Sequence, residues 1–250
     1  MTQFDQQSGF VAGTLVHTDK GLVPIQDIKI GDMVLSSPEL STGTLRVYKR
    51  VVNTFHVASK EIRHLGVHFI KSVDNEALLV REFFYLTKNI PIYLVESAWY
   101  ENRSGRWNAA SELQIDDTIL LTTQEGDSDS TFYVTCCKTI ERIDERHGFC
   151  EEQKDSLDLD NFIKIALDGS TETLGYWQIQ PSGDEIIKGS YREFDHRGNE
   201  DRKLEENFLN RKPPCPNLEA PIYNFQVEDF HTYFVGELGL WVHDASANIS

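Results

Sequence analysis

The chain has 250 residues, of which 40% are hydrophobic and 26% are charged, and its formal net charge is −16. This composition is typical of a folded globular protein, and the negative charge argues against nucleic acid as a partner because contacts to phosphates need cations. No apolar stretch approaches the roughly 18 residues of a membrane span, no signal peptide is visible and only four cysteines occur, so we expect a cytoplasmic protein without membrane contacts.

Short apolar runs separated by turn signals fill the first half of the chain, which is the pattern of β-strands. Two such runs, 14–18 and 22–25, flank the hairpin signal Asp19-Lys20-Gly21. Further runs rich in β-branched and aromatic residues predict strands at 33–35, 46–57, 78–86, 92–95 and 131–140. Helical periodicity is scarce, and its best candidates are short segments at 24–28 and 109–113. The predicted fold class is therefore mainly β.

One ten-residue pattern occurs twice in the chain, at 26–35 and again 85 positions later at 111–120. Each copy has a short apolar turn, a tight turn that ends in aspartate, and an apolar run that reads as a buried strand. Repetition of this kind indicates a duplicated supersecondary unit. The sequence therefore predicts that two related β units build the fold.

The C-terminal block and the region before it differ in character. Residues 222–227 alternate with period two, which places Tyr223, Phe225 and Val227 on one face of a strand. Two further strands are predicted at 231–235 and 240–242, with tight connections between them.

Residues 144–219 are denser in acidic side chains and end in a proline-rich connector, so this region is predicted to be an acidic insert of mixed or uncertain structure.

Three segments, taken together, carry a family resemblance: GFVAGTLVHT at 9–18, the stretch 21–35, and the block 223–243 with its YNF, HTYFVG and WVH motifs. In combination they resemble the Hint (Hedgehog/intein) family, and specifically the Hint domains that precede toxin modules in bacterial polymorphic toxins. The resemblance implies an all-β horseshoe with a pseudo-twofold axis. It predicts a leader at 1–8, a Hint-like domain at 9–143 and 220–244, the insert and connector at 144–219, and a tail at 245–250.

The resemblance also implies self-directed chemistry that begins at the N-terminal end. In the family a Cys or Ser at the first position attacks the preceding carbonyl, and a Thr-x-x-His motif polarises that bond. Here the first position is Gly9, which has no nucleophilic atom. Thr87 is kept, but Ile90 stands where the histidine belongs, and its side chain can transfer no proton. We therefore expect both Gly9 and Ile90 to be inactive in the family chemistry.

At the C-terminal end the family uses a His-Asn pair that cyclises to cut the chain. His243 is kept, Asp244 replaces the asparagine, Ala245 replaces the nucleophile that follows it, and His231 corresponds to a histidine that assists this step. The Asp244 carboxylate keeps one route open, because it can attack its own carbonyl and release 245–250 through an anhydride. Eight residues precede Gly9 and six follow Asp244, so we expect little flanking chain to be released.

The cysteines also suggest a zinc site, whose candidate ligands are Cys136, Cys137, His147 and Cys150. Adjacent cysteines on a strand point to opposite faces, and the spacing C-x₂₋₄-C is absent. Ordinary core thiols are therefore favoured, and we predict neither a metal nor a cofactor.

The leading hypothesis from the sequence is a Hint-like domain that lacks the splicing and autocleavage residues and binds another protein. The family context implies a partner from a toxin or immunity system, either a basic toxin domain or a toxin that itself contains a Hint domain. The alternative is a self-processing Hint domain that keeps autocleavage at Asp244–Ala245. A third reading, a structural remnant without a partner, also stays open.

Overall fold

The computed structural model describes residues 8–41, 43, 45–73, 76–121, 130–142, 147–152, 161–167, 174–179 and 216–244. Residues 1–7 of the predicted leader, the whole tail 245–250 with Ala245, most of the predicted insert, and Cys215 lie outside the described residues. The division of the chain into leader, domain, insert and tail stays a prediction.

Antiparallel strands make up nearly all the regular structure of the described residues, and the mainly β fold class is confirmed. In the first half they are β1 (Phe10–Val11), β2 (Leu15–Thr18), β3 (Gly21–Pro24), β4 (Met33–Ser36), β5 (Val47–Glu61), β6 (Arg63–Val73), β7 (Glu76–Leu86), β8 (Pro91–Glu96) and β9 (Arg106–Ala109). In the second half they are β10 (Thr118–Leu121), β11 (Ser130–Thr139), β12 (Glu141–Arg142), β13 (His147–Glu152), β14 (Asn161–Leu167), β15 (Leu174–Ile179), β16 (Glu219–Val227), β17 (Thr232–Val235) and β18 (Leu240–His243). Every strand that the sequence predicted before and after the insert is present.

The main sheet of the described chain runs in the order β10-β11-β6-β7-β1-β16-β5-β4-β2-β17-β18-β8-β9, with β3 paired to β2. Strand β10 also pairs with β8 and β18, so the sheet curls back on itself. Strands β12 to β15 form a separate sheet. This second sheet meets the main one where Glu141 bridges to Asn217 and where Cys150 packs with Ile62 and Leu218.

The two copies of the ten-residue pattern make matching hydrogen bonds. In the first copy the Asp32 carboxylate accepts the N–H of Lys29 at 2.9 Å. In the second copy the Asp117 carboxylate accepts the N–H of Gln114 at 3.0 Å. Aspartate is common in turns because its side chain accepts local hydrogen bonds of this kind from the backbone. The single 3-10 turns that precede them, Ile25–Asp27 and Ala110–Glu112, fall within the short helical segments that the sequence predicted.

Both copies also join their next strand in the same way. The residue before each aspartate has a left-handed backbone, with φ of 98° at Gly31 and 66° at Asp116. The N–H of Gly31 donates to the Val51 carbonyl at 2.8 Å, and the N–H of Asp116 donates to the Val134 carbonyl at 2.9 Å. The predicted duplication is therefore confirmed at the level of individual hydrogen bonds.

Strand β16 is buried on both faces because two hydrophobic clusters meet on it. Phe225 and Val227 belong to the main cluster, and the half-buried Tyr223 packs against the same cluster, as the period-two pattern predicted. On the opposite face Ile222 belongs to a second cluster, and Asn224 is also buried. A buried asparagine in such a strand must find hydrogen-bond partners, so it marks a place where polar groups meet.

The tight turn between β17 and β18 is held by a buried carboxylate from β7. Glu82 accepts the N–H of Glu237 on Oε1 at 2.7 Å and the N–H of Leu238 on Oε2 at 3.0 Å. Gly236 has a φ of 81°, and a Cβ added there would lie 2.5 Å from Glu82 Oε1. Glycine is therefore required at this position by both its backbone angle and the close carboxylate.

Glu82 is expected to make folding stability depend on pH. Burial raises its pKa from the ordinary 4.5 to about 7, so between these values the folded state binds more protons than the unfolded state. The stability that this group contributes is then complete below pH 4.5 and is lost as the pH rises through 7. Across this pH window we expect the free energy of unfolding of the wild type to fall by about 3 kcal/mol relative to that of Glu82→Gln.

Urea unfolding of both proteins at pH 5 and pH 8 measures this difference, since all other titrating groups are common to the two. Parallel pH dependence in the wild type and Glu82→Gln would show that Glu82 is ionised throughout and would contradict the prediction.

Candidate functional site

The start of the described chain lies at the centre of the main sheet. Strand β1 is inserted between β7 and β16, because Phe10 pairs with Leu86 on one side and with Tyr223 on the other. The peptide group between Ser8 and Gly9 is thereby brought beside the segment that follows β7 and beside β16. This is the bond that the family chemistry would attack.

Three hydrogen bonds hold the chain at the Ser8–Gly9 peptide group. The N–H of Gly9 donates to Thr87 Oγ1 at 3.0 Å, and the Gly9 carbonyl accepts the N–H of Thr87 at 3.0 Å. The Ser8 carbonyl oxygen accepts a hydrogen bond from Asn224 Nδ2 at 3.0 Å. Thr87 therefore lies next to the N-terminal bond, and Asn224, which was not among the predicted site residues, also contacts it.

Gly9 leaves no space for a side chain of any kind. A Cβ added at this position would overlap the carbonyl oxygen of Tyr223 and lie 3.0 Å from its carbonyl carbon and 3.3 Å from Ile222 Cδ1. The first two atoms are backbone, which cannot swing aside as a flexible side chain does. Gly9 therefore lacks a nucleophile, and the site also has no room for one, because β16 occupies the volume that a cysteine or serine side chain would need.

Ile90 occupies an apolar site. Its side chain is fully buried in the main hydrophobic cluster. Its N–H reaches the Thr87 carbonyl at 3.4 Å, and its carbonyl accepts the N–H of Ala110 at 2.8 Å. Thr87 and Ile90 therefore share one turn, but Ile90 contributes packing and no polar atom to the site.

Asp244 is fixed at the end of β18 by contacts to its backbone and its carboxylate. Its N–H donates to the His231 carbonyl at 2.7 Å. Its Oδ2 accepts the N–H of Val227 at 2.8 Å and lies 3.4 Å from Nδ1 of His231. Only 1% of the residue is exposed. The carboxylate is therefore held in one place and largely shielded from water.

His243 is positioned on the carbonyl group of Asp244. Its Nδ1 lies 3.0 Å from the main-chain carbonyl oxygen and 3.7 Å from Oδ1 of the same residue. A carbonyl oxygen can only accept, so Nδ1 carries the hydrogen and donates it. The ring is buried and packs edge-to-face against Trp107 with ring centres 5.4 Å apart. This donor polarises the carbonyl of the Asp244–Ala245 bond.

His231 connects this buried group to the surface. Its backbone has a φ of 56°, an unusual value for a residue other than glycine, and its side chain is 44% exposed. The ring stacks on that of His243 with centres 6.3 Å apart. Of the predicted site residues, His231, His243 and Asp244 are brought together at one end, and Gly9, Thr87 and Ile90 are brought together at the other.

A short chain of buried polar groups runs from Tyr233 to the N-terminal bond. The hydroxyl of Tyr233 donates to Asn224 Oδ1 at 2.8 Å, and the amide of Asn224 donates in turn to the Ser8 carbonyl. Burial and, second to it, the charge of Asp244 raise the pKa of the Tyr233 phenol well above its ordinary value, so the phenol remains a donor. Neither Tyr233 nor Asn224 was predicted, although a polar residue inside the apolar β16 segment was an available signal.

The described residues contain no group of three or more His, Cys, Asp or Glu side chains that could hold a metal ion. Cys136 is buried, and the Sγ of Cys137 donates to the Ala110 carbonyl at 2.9 Å. Among these same residues, no helix has the length and apolar character needed to cross a membrane.

Comparisons with known proteins give matches among solved structures only. No protein-family model matches the chain, and no curated protein matches it. The chain is similar to the solution structure of a bacterial intein-like domain from Clostridium thermocellum, with 20% identity over 94% of this chain and 98% of that chain and a TM-score of 0.45. It is also similar to a DnaB intein from Synechocystis, with 9% identity over 97% of this chain and 100% of that one and a TM-score of 0.47.

A third similar structure is a DnaX mini intein from Spirulina platensis, with 12% identity, coverage of 95% of this chain and 100% of that chain, and a TM-score of 0.42. These three structures are inteins or intein-like domains, and each is 20% identical to this chain or less.

Proposed function

We propose that this protein is a Hint-like self-processing domain that cannot carry out the N-terminal acyl shift but retains cleavage of the Asp244–Ala245 peptide bond. The observation that carries the proposal is the hydrogen bond from His243 Nδ1 to the Asp244 carbonyl oxygen, at 3.0 Å, beside a carboxylate fixed by Val227. The lack of space at Gly9 supports the first half of the proposal. On the strength of this geometry we place self-processing, which was the alternative in the sequence analysis, ahead of the binding module, which was the leading hypothesis there.

The bonds that form and break in this reaction involve Asp244, His243 and water. Oδ1 of Asp244 attacks the carbonyl carbon of the same residue and forms a five-membered cyclic anhydride. The Nδ1–H of His243 stabilises the negative charge that develops on the carbonyl oxygen. The C–N bond to Ala245 then breaks, and the leaving amine takes the proton from Nδ1. Water hydrolyses the anhydride, which leaves Asp244 as a C-terminal residue with two free carboxyl groups.

The intact mass of the purified protein, followed over days at several pH values, tests this function. We expect a slow decrease that corresponds to the loss of residues 245–250, with no loss at the N-terminal end when thiol is added. An unchanged mass would contradict the proposal and leave the domain without a cleavage activity.

Replacing His243 by glutamine is expected to slow the loss of the tail by about 10²–10³-fold, since one donor to the developing oxyanion is removed. The matched control is His56→Gln, because His56 is exposed on β5 and stacks on Tyr223. Equal rates in His243→Gln and the wild type, measured by intact mass, would show that His243 has no part in the cleavage.

A second candidate function is a non-catalytic module that binds another protein. It is favoured by Gly9 and Ile90, which carry no reactive groups, and by the net charge of −16, which would attract a basic toxin domain. A toxin that itself contains a Hint domain is the other partner that this candidate allows. Co-purification from the native host, with an unchanged intact mass, is the result that would favour it over self-cleavage.

A further inference from the structure

A partly exposed carboxylate turns one buried oxygen atom toward the far side of the His243 ring. Glu39 lies in the loop that follows β4, and its Oε1 is 3.5 Å from Nε2 of His243. Within the described part of the chain, neither of these two buried atoms has another hydrogen-bond partner. The main-chain carbonyl of Glu39 also accepts a hydrogen bond from Trp107 Nε1 at 3.2 Å, and Trp107 packs on the His243 ring. The loop is thus fixed to the same group of side chains.

A proton placed between two buried polar atoms that face each other in this way satisfies both of them. Because Nδ1 of His243 already donates to the Asp244 carbonyl, the remaining ring nitrogen is free to donate to Glu39 or to accept from it. A buried polar atom without a hydrogen bond is costly, so the pair is stabilised by closing this contact. Glu39 and the Asp244 carbonyl therefore contact opposite nitrogens of one ring.

This arrangement matters for the proton that the leaving amine needs. A neutral ring that gave up its Nδ1 proton would become an imidazolate, which is a strong base, so the neutral ring is a weak proton donor. A ring that also carries a proton on Nε2, held by a carboxylate, becomes a neutral imidazole after the same transfer. A carboxylate that orients a histidine and stabilises its charged form has the same effect in hydrolase triads.

We propose that Glu39 is a positioning residue for His243, which holds a proton on Nε2 so that Nδ1 can polarise the Asp244 carbonyl and protonate the leaving amine. This inference rests on the proposed C-terminal cleavage. Glu39 touches none of the reacting atoms itself and acts through the histidine ring.

The test compares Glu39→Gln and Glu39→Asp with the matched control Glu101→Gln, which removes the charge of an exposed glutamate in the 3-10 turn Glu101–Arg103. Rates of tail loss are measured by intact mass on the full chain at about six pH values. We expect Glu39→Gln to be about 10²-fold slower, Glu39→Asp to recover part of the rate, and Glu101→Gln to match the wild type. We also expect the pH profile of the rate to change in Glu39→Gln, which a loss of packing alone would not cause.

A second measurement reads the contact without cleavage. In the Asp244→Ala background, with ¹⁵N-labelled histidine, we expect a hydrogen-bonded Nε2–H signal from His243 that is lost in the added Glu39→Gln variant. If the wild type does not cleave, the proposed function fails, and the role of Glu39 in cleavage fails with it, while this signal still decides whether Glu39 holds a proton on Nε2 of His243. If the wild type cleaves and Glu39→Gln cleaves at the same rate with the same pH profile, the inference is overturned and the proposed function stands.

Discussion

Replacing Asp244 by alanine is expected to abolish the loss of residues 245–250. The methyl group cannot attack the carbonyl, so no anhydride forms, although His243 still donates to the same oxygen. Removal of the carboxylate also leaves the N–H of Val227 without its acceptor, which costs about 1–3 kcal/mol of stability. Intact mass gives the cleavage result, and circular dichroism with thermal unfolding shows that the variant is folded.

The control for this prediction is Asp244→Asn, which restores the residue that the family resemblance implies. The amide oxygen can still accept from Val227, and the amide nitrogen can attack the carbonyl to form a cyclic imide. We expect cleavage to persist in this variant and its product to end in the imide. Tail loss from Asp244→Ala at the wild-type rate would mean that cleavage, where observed, is not directed by this residue.

Introducing a cysteine at Gly9 is expected to destabilise the protein without creating a thioester. The new Cβ would overlap the Tyr223 carbonyl, so β1 and β16 must separate at the pair formed by Phe10 and Tyr223. Overpacking of this kind costs about 1–3 kcal/mol, which corresponds to a decrease in Tm of about 5 °C for a chain of this size. Thermal unfolding measures the loss, and hydroxylamine or thiol treatment with intact mass detects a thioester.

Gly9→Ala separates the steric effect from any chemistry of the thiol. Because the overlap is with the Cβ, the alanine and cysteine variants should be destabilised equally. A Gly9→Cys protein that is as stable as the wild type and is cleaved by added thiol would mean that the N-terminal site has room for a side chain, and would contradict the steric overlap with the Tyr223 carbonyl.

The fold was largely predictable from the sequence because its signals are local. Period-two alternation and β-branched runs predicted the strands on both sides of the insert, and the repeated aspartate turns at Asp32 and Asp117 predicted the duplication. Strand β6 was missed because its segment contains His64, Gly66 and His68 among the apolar residues. It forms a strand through its pairing with β7 and β11, which are contacts that a local pattern does not contain.

The candidate site residues came from the family resemblance. His231, His243 and Asp244 were named because they stand at the positions of the family's terminal motif, and their roles stay predictions. Glu39 and Asn224 were missed because their roles arise from long-range contacts, one across the sheet to His243 and the other to the Ser8 carbonyl. Sequence alone also gave no indication that a backbone carbonyl fills the space beside Gly9.

A fusion with a different folded reporter at each end of the chain tests the central claim most directly. After expression and incubation with and without thiol, the masses of all fragments report which bond breaks. The account predicts release of the C-terminal reporter at Asp244–Ala245, with the N-terminal reporter still attached in every condition. Release of the N-terminal reporter at Ser8–Gly9, or an intact fusion throughout, would contradict it.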